Sequence, residues 1–215
     1  MVDPYDSTYE WIANNEFDEG GIVRNISATL SVSMDGVVQA PGRPDEDTRD
    51  GFDRGGWAVP YNDEVMAQRM GEGMASSGAM LFGRRTYEDF YGYWPQQTDN
   101  PFTPYLNQVT KYVVSNTLSE PLPWQNSILL PGDPATSVAA LKAEPGPDLG
   151  IVGSAKLVSS LLAAKLIDQF VLLIHPLVLG QGHRLFDERG PGTDFELVDS
   201  LATSKGVIIA TYQLR

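Results

Sequence analysis

The sequence has no cysteine and only two histidines, His175 and His183. The first absence removes disulfides, thiolate nucleophiles and cysteine-bound zinc, and it fits a reducing compartment. The second leaves too few imidazoles for a histidine-rich metal site, so no metal is expected. Long apolar runs are missing as well; nothing approaches the roughly 20 residues a membrane helix needs. Residues 1–21 have neither a basic start nor an apolar centre, so the expectation is a cytoplasmic chain without a secretory signal. Base is scarce beside acid: 15 Lys and Arg against 28 Asp and Glu give a formal net charge of −13. Such a chain repels nucleic acid and anionic membrane at long range, and neither is an expected partner. It also repels a nucleotide unless cations are gathered locally, so the place of each arginine is informative.

Several motifs are absent too. No Gly-x-Gly-x-x-Gly follows a strand pattern, and there is no Gly-x-x-x-x-Gly-Lys-Ser/Thr loop, Gly-x-Ser-x-Gly elbow or His-Glu-x-x-His helix. A hydrolase on an α/β sheet would need a nucleophile and base that cannot be assembled from these residues.

What is present is a chain of 215 residues, enough for one domain with an extension. Residues 1–21 carry six acids and no base and end in Gly20-Gly21. They read as an extension that Tyr9, Trp11, Ile12 and Phe17 could pin to a domain spanning 22–215. From residue 22 the pattern changes. Ile26, Ala28, Leu30 and Val32 alternate with Ser27, Thr29, Ser31 and Ser33, which predicts a strand. A Gly-, Pro- and Asp-rich loop follows. Next comes a helix capped by Asn62 or Asp63, with Met66, Met70 and Met74 in an i, i+4, i+8 stripe read as core packing. Further strands are predicted at "AMLF", "YVVS" (112–115), "SILL" (127–130), "LGIVG" (149–153), "DQFVLLIHPLVLG" (168–180), "FELVDS" and "GVIIATYQL". Helices are expected after Gly83, at "PATSVAALKAE" and at "SAKLVSSLLAAKL". The alternation implies a three-layer α/β domain with a mostly parallel sheet and an antiparallel C-terminal edge.

Polar residues punctuate the carboxyl ends of these strands, where ligands of open α/β sheets bind. "AMLFGRRTYEDF" places Gly83, Arg84, Arg85 and Thr86 between a strand and a helix start. Glycine permits close backbone approach, an arginine forks onto phosphate, and a helix N-terminus favours an anion. Arg85 could instead pair with Glu88 or Asp89 on the next turn. Gly153, Ser154, Ala155 and Lys156 make a second anion seat, with Ser115 and Asn116 between the two. Two seats suggest a dinucleotide pyrophosphate plus one further phosphate, as in NADP.

The segments "SVSMDG", "GGWAVPYNDE", "LFGRRTYEDFYGYWP", "KYVVSNTL", "IVGSAKLVSSLLAAKLID" and "HPLVLGQGHRLF" occur in order. Over about residues 22–215 the chain resembles the dihydrofolate reductase superfamily, and within it the C-terminal reductase domain of bacterial riboflavin biosynthesis, the RibD C-terminal domain. The resemblance implies an α/β/α sandwich with a mixed eight-stranded sheet, NADPH as cofactor, homodimers, and reduction of a pterin, a folate or a ribosylamino-pyrimidine phosphate. It places Gly83, Arg84 and Thr86 on the cofactor phosphates, Arg84 nearest the 2′-phosphate. Ser115 and Asn116 would flank that phosphate and the adenosine, and Gly153, Ser154, Ala155 and Lys156 the pyrophosphate and nicotinamide side. The substrate-gripping acid of dihydrofolate reductase falls on Ala67 in an ungapped match, so Asp63 and Glu64 are the nearest candidates for polarising the substrate or relaying a proton. Asp35 is a possible substrate contact. Trp57 either stacks on a flat heterocycle or packs its loop, and His183 could line the substrate end. The implied activity is hydride transfer to a C=N or C=O bond of a small heterocycle; the alternative is a non-catalytic nucleotide- or pterin-binding protein.

Overall fold

The computed structural model describes residues 23–186 and 192–215, so the proposed extension and its four anchors lie outside the described residues. Eight strands form one sheet in the order β4-β3-β2-β5-β1-β6-β8-β7. They are β1 (Ile26–Ser33), β2 (Ala79–Gly83), β3 (Thr110–Val114), β4 (Ser127–Leu130), β5 (Leu149–Val152), β6 (Gln169–His175), β7 (Phe195–Ala202) and β8 (Ile208–Leu214). The strands from β4 across to β6 run parallel, and β8 and β7 complete an antiparallel edge. The expected mixed, mostly parallel α/β sheet is therefore present.

β1 sits in the middle because its alternation serves two layers. Ile26, Ala28, Leu30 and Val32 are buried on one face, against α4 (Pro134–Ala143) and α5 (Ala155–Ala163), in the largest apolar cluster. Ser27, Thr29, Ser31 and Ser33 point to the other face. That face is covered by α1 (Glu64–Ser77), α2 (Arg84–Tyr93) and the short α3 (Thr103–Gln108). Here two separate clusters form. One joins Met80, Phe82 and Val113 to Tyr87 and Leu106; the other joins Met66 to Leu173, Val207 and Ile209.

Two local differences from the sequence pattern have simple causes. β6 stops at His175 rather than running to 180, because Pro176 has no N–H to continue the ladder. The helix α3 is six residues long with Pro104 in its first turn, too short to leave a periodic signature. Among the described residues no helix is long and apolar enough to cross a membrane.

Candidate active site

The four helices of eight residues or more begin in two different ways. Asp63 caps α1, its Oδ1 accepting the Met66 N–H at 2.9 Å, and Asp133 caps α4 by accepting the Thr136 N–H at 3.0 Å. α2 and α5 have no side-chain cap. They start at the carboxyl ends of β2 and β5, which are neighbours in the sheet. Ser154 is the natural cap of α5, yet its hydroxyl instead accepts the Gly83 N–H at 3.0 Å. The link draws the two helix starts together and leaves the first N–H groups of α5 free. Gly153 and Ser154 are both in the left-handed region, at φ 71° and 54°. A Cβ at Gly153 would touch Thr86 Cγ2 at 3.4 Å, so it is the positive φ, more than lack of space, that favours glycine where the two turns face each other.

Cations are present at both starts. Arg84 donates to Glu88 at 2.9 Å across one turn of α2, a half-exposed pairing that a phosphate can displace. The side chains of Arg85 and Lys156 are exposed, with no hydrogen bond or ion pair among the described residues. Glycine backbone, free helix N-termini and flexible cations are the donor set for a pyrophosphate with an additional phosphate. The residues fit the phosphorylated part of a nicotinamide dinucleotide. Ser115 and Asn116 are near in the sheet but locally engaged. Ser115 Oγ accepts the N–H groups of Thr117 and Leu118, and Asn116 bonds the N–H and C=O of Gly132.

Next to this seat lies a cavity of about 280 Å³, at the small end for ligand sites. It separates the two apolar clusters beneath α1. Its floor is Ser31 of β1 with Met80, Val152 and Leu173 from the strands on either side. Its roof is Met66, Ala67, Met70 and Met74 of α1, and its far wall is Phe90, Trp94, Phe102 and Leu106. The hollow exists because β1 offers only short hydroxyl side chains on this face. β5 adds Gly150, where a Cβ would sit 2.7 Å from Ser77 Oγ. The methionine stripe is thus only partly core: Met66 is buried, while Met70 and Met74 are half-buried at the cavity. Ser31 Oγ has no hydrogen bond among the described residues, a site residue that the strand alternation placed on this face without marking it as functional. Val152 lines the cavity and Gly153 follows it directly, donating its N–H to Thr29 O at 3.3 Å; cavity and seat share that corner.

The substrate-side candidates are dispersed. Asp63 borders the cavity, but its Oδ2 accepts the Ser204 hydroxyl at 2.7 Å while its Oδ1 caps α1. Those bonds, the Ser204 hydroxyl foremost, lower its pKa to about 2. Glu64 is exposed on the first turn of α1 and does not line the cavity. Asp35 accepts the Leu179 and Gly180 N–H groups and the Ser33 hydroxyl, which hold its pKa at about 2 and tie the loop after β6 to the end of β1. Trp57 is 7% exposed, and its indole N–H donates to Gln39 O at 2.7 Å, so it packs the loop rather than offering a stacking face. His183 is a surface residue, with Nε2 3.0 Å from Asp50. The other histidine is the unexpected one. His175 is fully buried at the end of β6, held edge-on by Trp57 and Tyr61, with neither ring nitrogen bonded. Burial pushes its pKa down to about 4.

Residues 24–209 match the family model of the RibD C-terminal domain, and the chain belongs to that family. It is 30% identical over 138 residues to the uncharacterized protein YyaP of Bacillus subtilis, covering 62% of this chain and 72% of that one. Two solved structures share the fold. A putative riboflavin biosynthesis protein from Shewanella sp. PV-4 aligns with a TM-score of 0.64 and 20% identity, over 89% of this chain and 99% of that one. A pyrimidine reductase-like protein from Corynebacterium diphtheriae aligns with a TM-score of 0.63 and 16% identity, over 89% and 92%.

Proposed function

We propose that this protein is an NADPH-dependent reductase of a small heterocyclic compound. The observation that carries the proposal is the pair of uncapped helix starts, α2 and α5, joined by Ser154 and sharing a corner with the apolar cavity beneath α1. Membership of the RibD C-terminal family and the names of its structural relatives support the same reading. When bound, a dihydronicotinamide supplies the hydride. The protein binds its phosphates through Arg84, Arg85, Thr86 and the α5 N-terminus with Lys156. Ser115 and Asn116 border the adenosine side. Methionine and aromatic walls hold the acceptor and exclude water. Ser31 donates a hydrogen bond to the acceptor heteroatom, and water at the mouth beside Asn62 supplies the proton. Asp63 stays ionised and anchors α1, leaving Glu64, exposed beside it at the start of α1, as the other candidate acid. The reading extends to a homodimeric, cytoplasmic enzyme, for which the exposed Leu197, Val198 and Ile208 along the β7–β8 edge offer apolar contact surface.

A thermal-shift titration tests the seat, because a ligand of the folded state alone must raise Tm. NADPH is expected to raise it more than NADH. Arg84→Ala should weaken NADPH about ten-fold or more and leave NADH nearly unchanged. Equal losses remove the assignment of Arg84 to the 2′-phosphate, and no shift with either nucleotide overturns the reading. One observation favours a second reading, a non-catalytic nucleotide-binding protein: the only carboxylate lining the cavity has both oxygens engaged. That reading predicts a shift with NADPH but no consumption of it with any pterin or pyrimidine.

A further inference from the structure

Among the described residues, the cavity has no Lys, Arg or His in its lining. Its one charged side chain is Asp63, kept ionised by its two hydrogen bonds. The cations of α1 and of the neighbouring loops are engaged elsewhere, while Arg85 and Lys156 stand at the anion seat on the strand ends. Arg69 of α1 pairs with Asp199 and Glu72, Arg43 pairs with Asp89 and lies over Tyr93, and Lys205 donates to Pro60 O. A phosphate or sulfonate in this cavity would lose water against apolar walls and meet the Asp63 carboxylate, with no cation in the lining to pair with it. The walls are instead polarizable thioethers and aromatic edges, which suit a flat ring. One unclaimed hydroxyl, Ser31 Oγ, stands in the floor.

We infer that this site takes an uncharged, mostly apolar ring compound carrying a carbonyl or imine acceptor, which Ser31 recognises, and that it rejects phosphorylated substrates. The inference rests on the reductase reading for its biological meaning, but its recognition chemistry is tested without cofactor. A ring ketone or quinone fits the volume and leaves the anion seat to the dinucleotide. A ribosylamino-pyrimidine phosphate does not fit the charge.

The test follows quenching of tryptophan fluorescence, with Trp94 in the cavity wall as reporter. The probes are 1,4-naphthoquinone, its 2-sulfonate, naphthalene and uridine 5′-monophosphate. The absence of cysteine prevents thiol addition to the quinone. Naphthoquinone is expected to bind at least ten-fold more tightly than its sulfonate, and uridine monophosphate not to displace it. Ser31→Ala should weaken naphthoquinone several-fold and leave naphthalene unchanged, a split that general damage to the fold would not give. Met70→Arg should reverse the order of the quinone and its sulfonate. Equal binding of the sulfonate, displacement by uridine monophosphate, or equal losses of naphthoquinone and naphthalene in Ser31→Ala overturn the inference. The NADPH thermal shift on the same protein separates the two claims. A shift without naphthoquinone binding sinks only the substrate class, and naphthoquinone binding without a shift sinks only the cofactor seat.

Discussion

Two pairs of helix starts sit on one sheet and have opposite chemistry. α1 and α4 open with an aspartate whose carboxylate takes up the free N–H groups. α2 and α5 open with glycine or a diverted serine, and cations lie close by. Capping satisfies a helix and closes it to ligands; its omission leaves donors exposed at a cost in stability. The omission is confined to the two helices that start beside each other at neighbouring strand ends. A protein of net charge −13 has kept acids from these two starts alone among its longer helices. The difference marks where an anion belongs more clearly than any single residue does.

Closing the open pair is expected to have the largest effect. Gly153→Val forces a β-branched residue into φ 71° and pushes against Thr86. The strain costs about 2 kcal/mol, and the NADPH thermal shift should vanish while naphthoquinone binding persists. Loss of both ligands together would show that the corner is merely structural.

Acid separates the sealed starts from the buried imidazole. The unfolded chain protonates His175 at its ordinary 6.5, whereas the folded chain resists until about 4. Stability is therefore whole above pH 6.5, falls as pH drops through the interval 6.5 to 4, and levels off below it, for a loss of up to about 3 kcal/mol. His175→Leu should flatten this limb of a urea-denaturation pH profile. Asp63 and Asp35 act lower: their pKa values are depressed to about 2, so their contribution is present above pH 3.8 and disappears as pH falls toward 2. An unchanged limb between 6.5 and 4 in His175→Leu would remove the imidazole from this account.

The smallest expected effect comes from unsealing a sealed start. Asp133→Ala should lower Tm by a few degrees and change NADPH affinity little, because α4 begins after the edge strand β4, two strands from β2, and its cap carboxylate holds the helix's own Thr136 N–H. A change in affinity would spread the anion site beyond the open pair.

Much of this organisation is legible in sequence because it is local. Alternation in residues 26–33 defines both the central strand and its polar face. Gly83 and Gly153 punctuate strand-to-helix turns with cations after them. What sequence does not reveal depends on the opposing layer. The period of Met66, Met70 and Met74 predicts a buried helix face, and only the short side chains of β1 across from it turn that face into a cavity roof. Asp63 has the chemistry of an acid catalyst, but its position one residue before α1 and its contact with Ser204 make it an anchor. Asp35 is held by a loop 144 residues further along the chain, which no spacing rule anticipates.

The central place of β1 has a temporal consequence. Among the described residues it is the first strand of the sheet in chain order, yet its partners are Leu149–Val152 on one side and Gln169–His175 on the other. During synthesis an apolar strand must wait, unpaired, for more than a hundred further residues, and closing so long a loop is slow. The cavity floor is therefore among the last features to assemble, and a nascent chain that stalls before residue 149 exposes the hydrophobic heart of the sheet to whatever folding helpers or proteases the cell supplies.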